Sequence, residues 1–391
     1  MNAVTATLNR QLCGDRNDLF ARDNLMVDFL RNVLNLNAFT PRYMLKTALD
    51  VMLQSTDLVK GITPEGGQHS LQEFHNKLQA FYLFEYIDSI LEFPEGTVPN
   101  LIDMLHKTHS LGSFFSVWAT EGVGHYYAYQ LATSSPSVHG ILSDAINVPV
   151  ENLIPLHTGM GLALAEVSLN RHHTPETLAD AFVQLCRHNS HHKYWPAAME
   201  ALGLVVRNLR PELIAPLDQL FSSGHDDLRA YFWHGIGRGH YFAVCNSLPR
   251  WDAPGQGFEM CFQAPHELGR LNALSGFAWA MTLVNLRYPE IITSWLDRYS
   301  AMITSDAVAN GIFSALLVWA FSAPDDHLIR ALGQHQPAID KSILLRIWEK
   351  QVQQSTHLAL KCRAVNAAPE IAKIFRYQPL AQFMEECKFT S

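Results

Sequence analysis

The sequence predicts an all-α fold: a helical-pair repeat array, of the α-solenoid or α/α toroid kind, behind a helical N-terminal cap. Three observations carry this expectation. Apolar residues recur at helical spacing, no run alternates like a strand, and a glycine-centred block returns about every 38 residues. The chain has 391 residues, 48% apolar and 17% charged. That is enough for a large core and excludes a disordered chain.

The elements follow in order. Asn24 to Leu36 carries apolar residues at 25, 26, 27, 29, 30, 33 and 34, a helical period. Arg42 to Val59 and Leu71 to Leu91 read the same way, and Gly61 to Gln68 (GITPEGGQ) reads as a loop. Residues 1–110 are therefore expected to form the cap, and 111–391 a repeat domain of about six helix pairs.

The repeat shows in two registers. The first aligns EGVGHYYA at 121, TGMGLALA at 158, EALGLVVR at 200, HGIGRGHY at 234, SGFAWAMT at 275 and NGIFSALL at 310. Its second position reads Gly122, Gly159, Ala201, Gly235, Gly276 and Gly311, at spacings of 37, 42, 34, 41 and 35. The second register is Pro175-Glu176, Pro211-Glu212, Pro289-Glu290 and Pro324-Asp325. Proline followed by an acid suits the first turn of a helix. Glycine inside a helix costs about 1 kcal/mol against alanine, so its recurrence calls for close helix approach or a ligand against bare backbone. GIGRG at 235–239 follows no strand and lacks a following G-K-[ST], so it is no phosphate loop.

The position before each small residue is polar: Glu121, Thr158, Glu200, His234, Ser275 and Asn310. Four residues on, on the same helical face, stand His125, Leu162, Leu204, Arg238, Trp279 and Ser314. Stacked in an array, these positions make one polar stripe between apolar walls. The stripe can be a ladder of buried hydrogen bonds, or it can line a groove or pocket, and the sequence leaves both open. Glu121 and His125 are the acid–base candidates, as a carboxylate–imidazole pair at i, i+4. His157, Glu200, His234, Arg238, His240 and Trp279 are the candidate substrate-binding residues. Aromatic residues around 126–129, 231–233 and 241–242 suit an apolar ligand or ordinary core packing.

Composition narrows the function. There are 29 Lys and Arg against 37 Asp and Glu, a net charge of −8, which disfavours a generic nucleic-acid binder. No apolar stretch is long enough to span a bilayer; Val308 to Ala323 is broken by Asn310, Gly311 and Ser314. Met1 to Phe20 does not read as a signal peptide. A cytoplasmic protein with reduced thiols is expected, since the six cysteines show no C-x-x-C spacing. The 19 histidines are the compositional oddity. His188, His191 and His192 have a spacing that can hold a transition metal, in a polar segment that also reads as solvated surface. HELGR at 266–270 begins like a zinc motif, but Arg270 takes the second histidine's place. Metal and cofactor therefore stay unassigned, and no G-x-S-x-G elbow points to nucleophilic catalysis.

FFSVWATEGVGHYYAYQL at 114–131, HTGMGLALAE at 157–166 and YFWHGIGRGHYFA at 231–243 occur in that order. They resemble a bacterial helical domain family encoded beside enediyne and related polyketide biosynthesis genes. Glu121, Gly122, His157, Gly159, Gly161, Gly235, Gly237 and Arg238 carry the resemblance, which covers about residues 110–330. Tyr126 to Tyr129 depart from the small aliphatic run expected after the first motif. The resemblance implies a bacterial cytoplasmic protein of specialised metabolism, and transfers no chemistry.

The leading expectation is binding, with possible tailoring, of a hydrophobic polyketide-like small molecule, alongside a biosynthetic partner protein. One alternative is a protein-interaction scaffold of α-solenoid type. Another is a histidine-ligated metal or haem enzyme.

Overall fold

The structure, a computed structural model, describes residues 42–60, 65–93, 98–135, 137–223, 226–243, 253–337, 342–365 and 370–386. The expected helix at Asn24 to Leu36 lies outside the described residues, as do Cys13, Cys245 and Cys387. Among the described residues there is no strand, only an isolated bridge between Leu142 and Ser190, so the fold is all-α as expected. No described helix is long and apolar enough to cross a membrane.

The helices used below are α1 (Arg42–Lys60), α2 (Glu65–Glu85), α3 (Leu101–His109), α4 (Ser113–Ser134), α5 (Val150–Arg171), α6 (Pro175–Asn189), α7 (Trp195–Met199), α8 (Ala201–Leu209), α9 (Asp226–Phe242), α10 (Glu267–Val284), α11 (Pro289–Tyr299), α12 (Ala307–Ser322) and α13 (Gln354–Ala364). Two sequence expectations need correction. Glu65 to Gln68 is not loop but the first turn of α2, where the leading N–H groups have no intrahelical partner to lose and glycine is tolerated. Pro324-Asp325 does not start a helix. The helix begins at His327, whose amide donates to the Asp325 carboxylate at 3.2 Å, while Arg363 binds the carbonyl of Pro324.

Two kinds of helix alternate. In α6 the buried residues Leu178, Ala179, Phe182 and Cys186 form one stripe, so α6 lies on the outside. Thr174 caps it and Pro175 occupies its first turn. In α5, every residue from Asn152 to Leu169 is buried, and α10 and α12 are nearly as enclosed. Such helices are apolar all round because neighbours cover every face.

The enclosed helices pack in a row: α4 on α5, α5 on α7 and α8, α8 on α9, α9 on α10, α10 on α12 and α12 on α13. The row also meets itself. Phe114 of α4 packs its ring 5.3 Å from Trp319 of α12, and α2 binds the far end of α10 through Asn76 Nδ2 to Asn285 Oδ1 at 3.0 Å. Glycine sets how close neighbours come. A Cβ at Gly122 would stand 2.7 Å from the carbonyl oxygen of Leu83. At Gly159, Gly235 and Gly276 it would overlap the carbonyl oxygens of Glu121, Glu200 and His234. The recurring glycines therefore serve helix-on-helix contact.

Candidate functional site

This close packing brings four polar side chains together from α4, α9 and the junction of α7 with α8. Glu200 occupies that junction in helical conformation, φ −68° and ψ −22°, so its side chain projects with those of the flanking helices. One carboxylate oxygen accepts from Arg238 Nη1, and the other lies 2.5 Å from His234 Nδ1. Arg238 Nη2 reaches on to Glu121 Oε1 at 3.4 Å. Below the guanidinium lies Trp279, whose ring centroid is 4.3 Å from Cζ. The His234 ring meets Trp279 and Phe375 edge-on, at 6.3 and 6.4 Å.

Burial sets the electrostatics. His234 and Glu200 have no exposed surface, Arg238 is 2% exposed and Glu121 8%. Burial raises the Glu121 carboxyl above its ordinary value, against the pull of Arg238. Loss of hydration lowers Arg238, but the guanidinium stays charged. Burial holds His234 neutral by lowering it to about 3. A neutral ring donating from Nδ1 to Glu200 leaves Nε2 as a bare acceptor. That atom is buried and has no protein partner among the described residues, as is true of Arg238 Nε and Trp279 Nε1.

The other candidates go elsewhere. His125 pairs not with Glu121 but with Glu166 of α5, Nε2 to Oε2 at 3.0 Å, under the ring of Phe84. Glu121 at the same spacing is drawn instead to Arg238, the stronger donor. His157 donates from Nδ1 to the Leu153 carbonyl at 2.7 Å and accepts the His191 amide at 3.0 Å. His240 accepts from Arg207 Nε at 2.8 Å. Neither shares a hydrogen bond with the Glu121–Arg238–Glu200–His234 network among the described residues. Further along the stripe, Ser275 Oγ donates to Asn310 Oδ1 at 2.8 Å.

His266 of HELGR is an N-cap. Its Nδ1 accepts the Gly269 amide at 2.9 Å, and its Nε2 faces Asp218, which also binds Arg229 and Trp233. Glu166, Asp218 and Phe375 lie outside the stripe that the sequence spacing marks. Glu166 closes the quoted HTGMGLALAE segment, and its acid in an apolar helix was the available signal. Phe375 is the C-cap of the short helix Ile371–Ile374, far along the chain, with no local signal.

Comparison of the chain with protein-family models, curated proteins and solved structures finds no match.

Proposed function

We propose that the protein binds a small, largely apolar molecule against Glu121, Glu200, His234 and Arg238, with Trp279 and Phe375 as walls. The observation that carries this reading is His234. Glu200 fixes its tautomer, and its Nε2 lone pair is buried without a partner among the described residues. A ligand hydroxyl or amide N–H would satisfy it, while Arg238 Nε–H and Trp279 Nε1–H suit ligand oxygens. Buried polar atoms left unpaired cost about 1–3 kcal/mol each, so a bound molecule that pairs them gains in proportion.

The same geometry supports proton transfer on the bound molecule. Burial raises Glu121, which suits a proton donor, while His234, lowered to about 3, stays neutral and serves as a hydrogen-bond acceptor and not as a base. In such a step Glu121 lends a proton to a ligand oxygen while His234 Nε2 accepts a hydrogen bond from a ligand hydroxyl and holds it in place. Polyketide-like intermediates, rich in hydroxyl and carbonyl groups on an apolar frame, fit these donors and acceptors, and a bacterial cytoplasmic setting with a biosynthetic partner protein belongs to the same reading. The interaction-scaffold alternative would need the stripe on an open face, and the burial of its residues weighs against that.

We also read the enclosed helices as a repeat of about 38 residues. In its support, glycines 159, 235, 276 and 311 each rest on the carbonyl of the polar residue one block earlier: Glu121, Glu200, His234 and Ser275.

The test is organic extraction and mass spectrometry of protein incubated with a bacterial small-molecule fraction, comparing wild type with Glu121→Gln and His234→Gln. Retention by wild type and loss in variants of unchanged helicity supports the proposal. Equal retention refutes it, and variants that simply unfold would make the network structural.

A further inference from the structure

Beside the C-terminal end of α6, residues 137–149 meet residues 188–194, away from the buried network. The two segments are stitched together. The Gly140 amide donates to the His188 carbonyl at 3.1 Å and the Leu142 amide to the Asn189 carbonyl at 2.8 Å. The Asn189 side chain receives the Ile141 amide at 3.2 Å and donates to the Val138 carbonyl at 3.0 Å. From the other side His157, fully buried, holds the His191 amide. These bonds bring Asp144 against two consecutive histidines. The Asp144 carboxylate receives the His192 amide at 3.2 Å, His192 Nδ1 at 2.9 Å and His191 Nε2 at 3.0 Å. The three donor atoms lie within 4.8 Å of one another.

We propose that Asp144, His191 and His192 form a binding site for a divalent transition-metal ion of the Zn2+ class. Two imidazole nitrogens and one carboxylate oxygen are a donor set this ion takes, and three protein ligands leave a fourth position for water. Tetrahedral coordination at about 2.0–2.2 Å sets donors roughly 3.3 Å apart, so the carboxylate–imidazole distances of 2.9 and 3.0 Å need to grow by only about a few tenths of an ångström, and the two nitrogens already lie within 4.8 Å of each other. His192 and Asp144 are exposed, so an ion can enter and the side chains can make that adjustment. His191 would bind through Nε2, carrying its proton on Nδ1 and releasing the 3.3 Å bond from the Lys193 amide. His188, grouped with these histidines by sequence spacing, turns its ring onto His139 at 5.2 Å and is not among the donors. The third ligand comes instead from a residue 47 positions before His191.

The test uses full-length protein freed of metal with a chelator. Zn2+ is titrated by calorimetry, and Co2+ is followed by its visible absorption. A histidine-rich chain offers other weak sites, so the comparison is with Asp144→Asn and with Asp144→Asn/His192→Ala. Wild type is expected to bind one more equivalent of Zn2+ than the double variant and to show the intense absorption of four-coordinate Co2+. Asp144→Asn alone should weaken that equivalent by at least about 10-fold. Thermal unfolding without metal should be the same in all three proteins, because two of the side chains are at the surface. Failure of wild type to bind Zn2+, or equal stoichiometry and affinity in the double variant, overturns the proposal.

Discussion

Acid should destabilise this fold through two buried imidazoles that act as hydrogen-bond acceptors. His157 accepts the His191 amide, and His240 accepts Arg207 Nε–H. A protonated ring has no acceptor, so charging either one breaks its bond, and charging His240 also sets two cations together. Burial accordingly lowers His157 to about 4 and His240 to about 3, from an ordinary value of 6.5. The unfolded chain therefore binds more protons than the folded one below pH 6.5. Stability is full above that pH and falls as pH drops toward the folded values. At roughly 1.4 kcal/mol per pH unit, each histidine removes about 2 kcal/mol between pH 6.5 and 5.0. His234, lowered to about 3, adds a contribution of the same sign. Glu121 works the other way, because its raised carboxyl binds its proton more tightly when folded. The assay is urea unfolding followed by circular dichroism from pH 5.0 to 7.5, for wild type and His240→Gln. Glutamine keeps an acceptor for Arg207 and does not titrate, so the difference between the proteins isolates His240. The variant should lose about 2 kcal/mol less than wild type over this range. Parallel pH profiles would refute the reasoning.

Gly235→Ala and Gly276→Ala press a Cβ into the backbone of the neighbouring helix and should each cost about 3 kcal/mol in denaturant unfolding. Arg238→Met leaves the buried Glu200 carboxylate without its cation, an expected loss of about 3–5 kcal/mol, read as a lowered Tm. Glu121→Gln removes a group whose folded-state pKa is raised, so its stability relative to wild type should rise as pH goes from 4 to 8, measured by Tm at each pH. Phe375→Ala opens the wall shared by His234 and Trp279 and should quicken ligand exchange in stopped-flow fluorescence.

Fold class was legible because helical periodicity and the lack of alternating runs are local signals. The enclosed helices were legible through their glycines, since a residue that costs helix stability recurs only where backbone contact needs it. Glu200, His234 and Arg238 were legible as one group because equivalent positions on neighbouring helices face each other. Their partners were less so. Glu121 stands at i, i+4 from His125, yet the three-dimensional choice between Arg238 and His125 depends on which helix lies opposite. Phe375 and Asp144 reach their places through long-range contacts that no spacing encodes. Pro324 shows the limit of a local rule: it resembles the other proline–acid pairs, but Arg363 holds its carbonyl and the helix starts later.

The most direct measurement is a high-resolution crystal structure of the protein after incubation with a bacterial small-molecule fraction, inspected around His234. The account predicts non-water density within hydrogen-bond distance of Nε2, flanked by Trp279 and Phe375, with Nδ1 on Glu200. A ring whose Nε2 rests on apolar carbon, or meets only water, would contradict it.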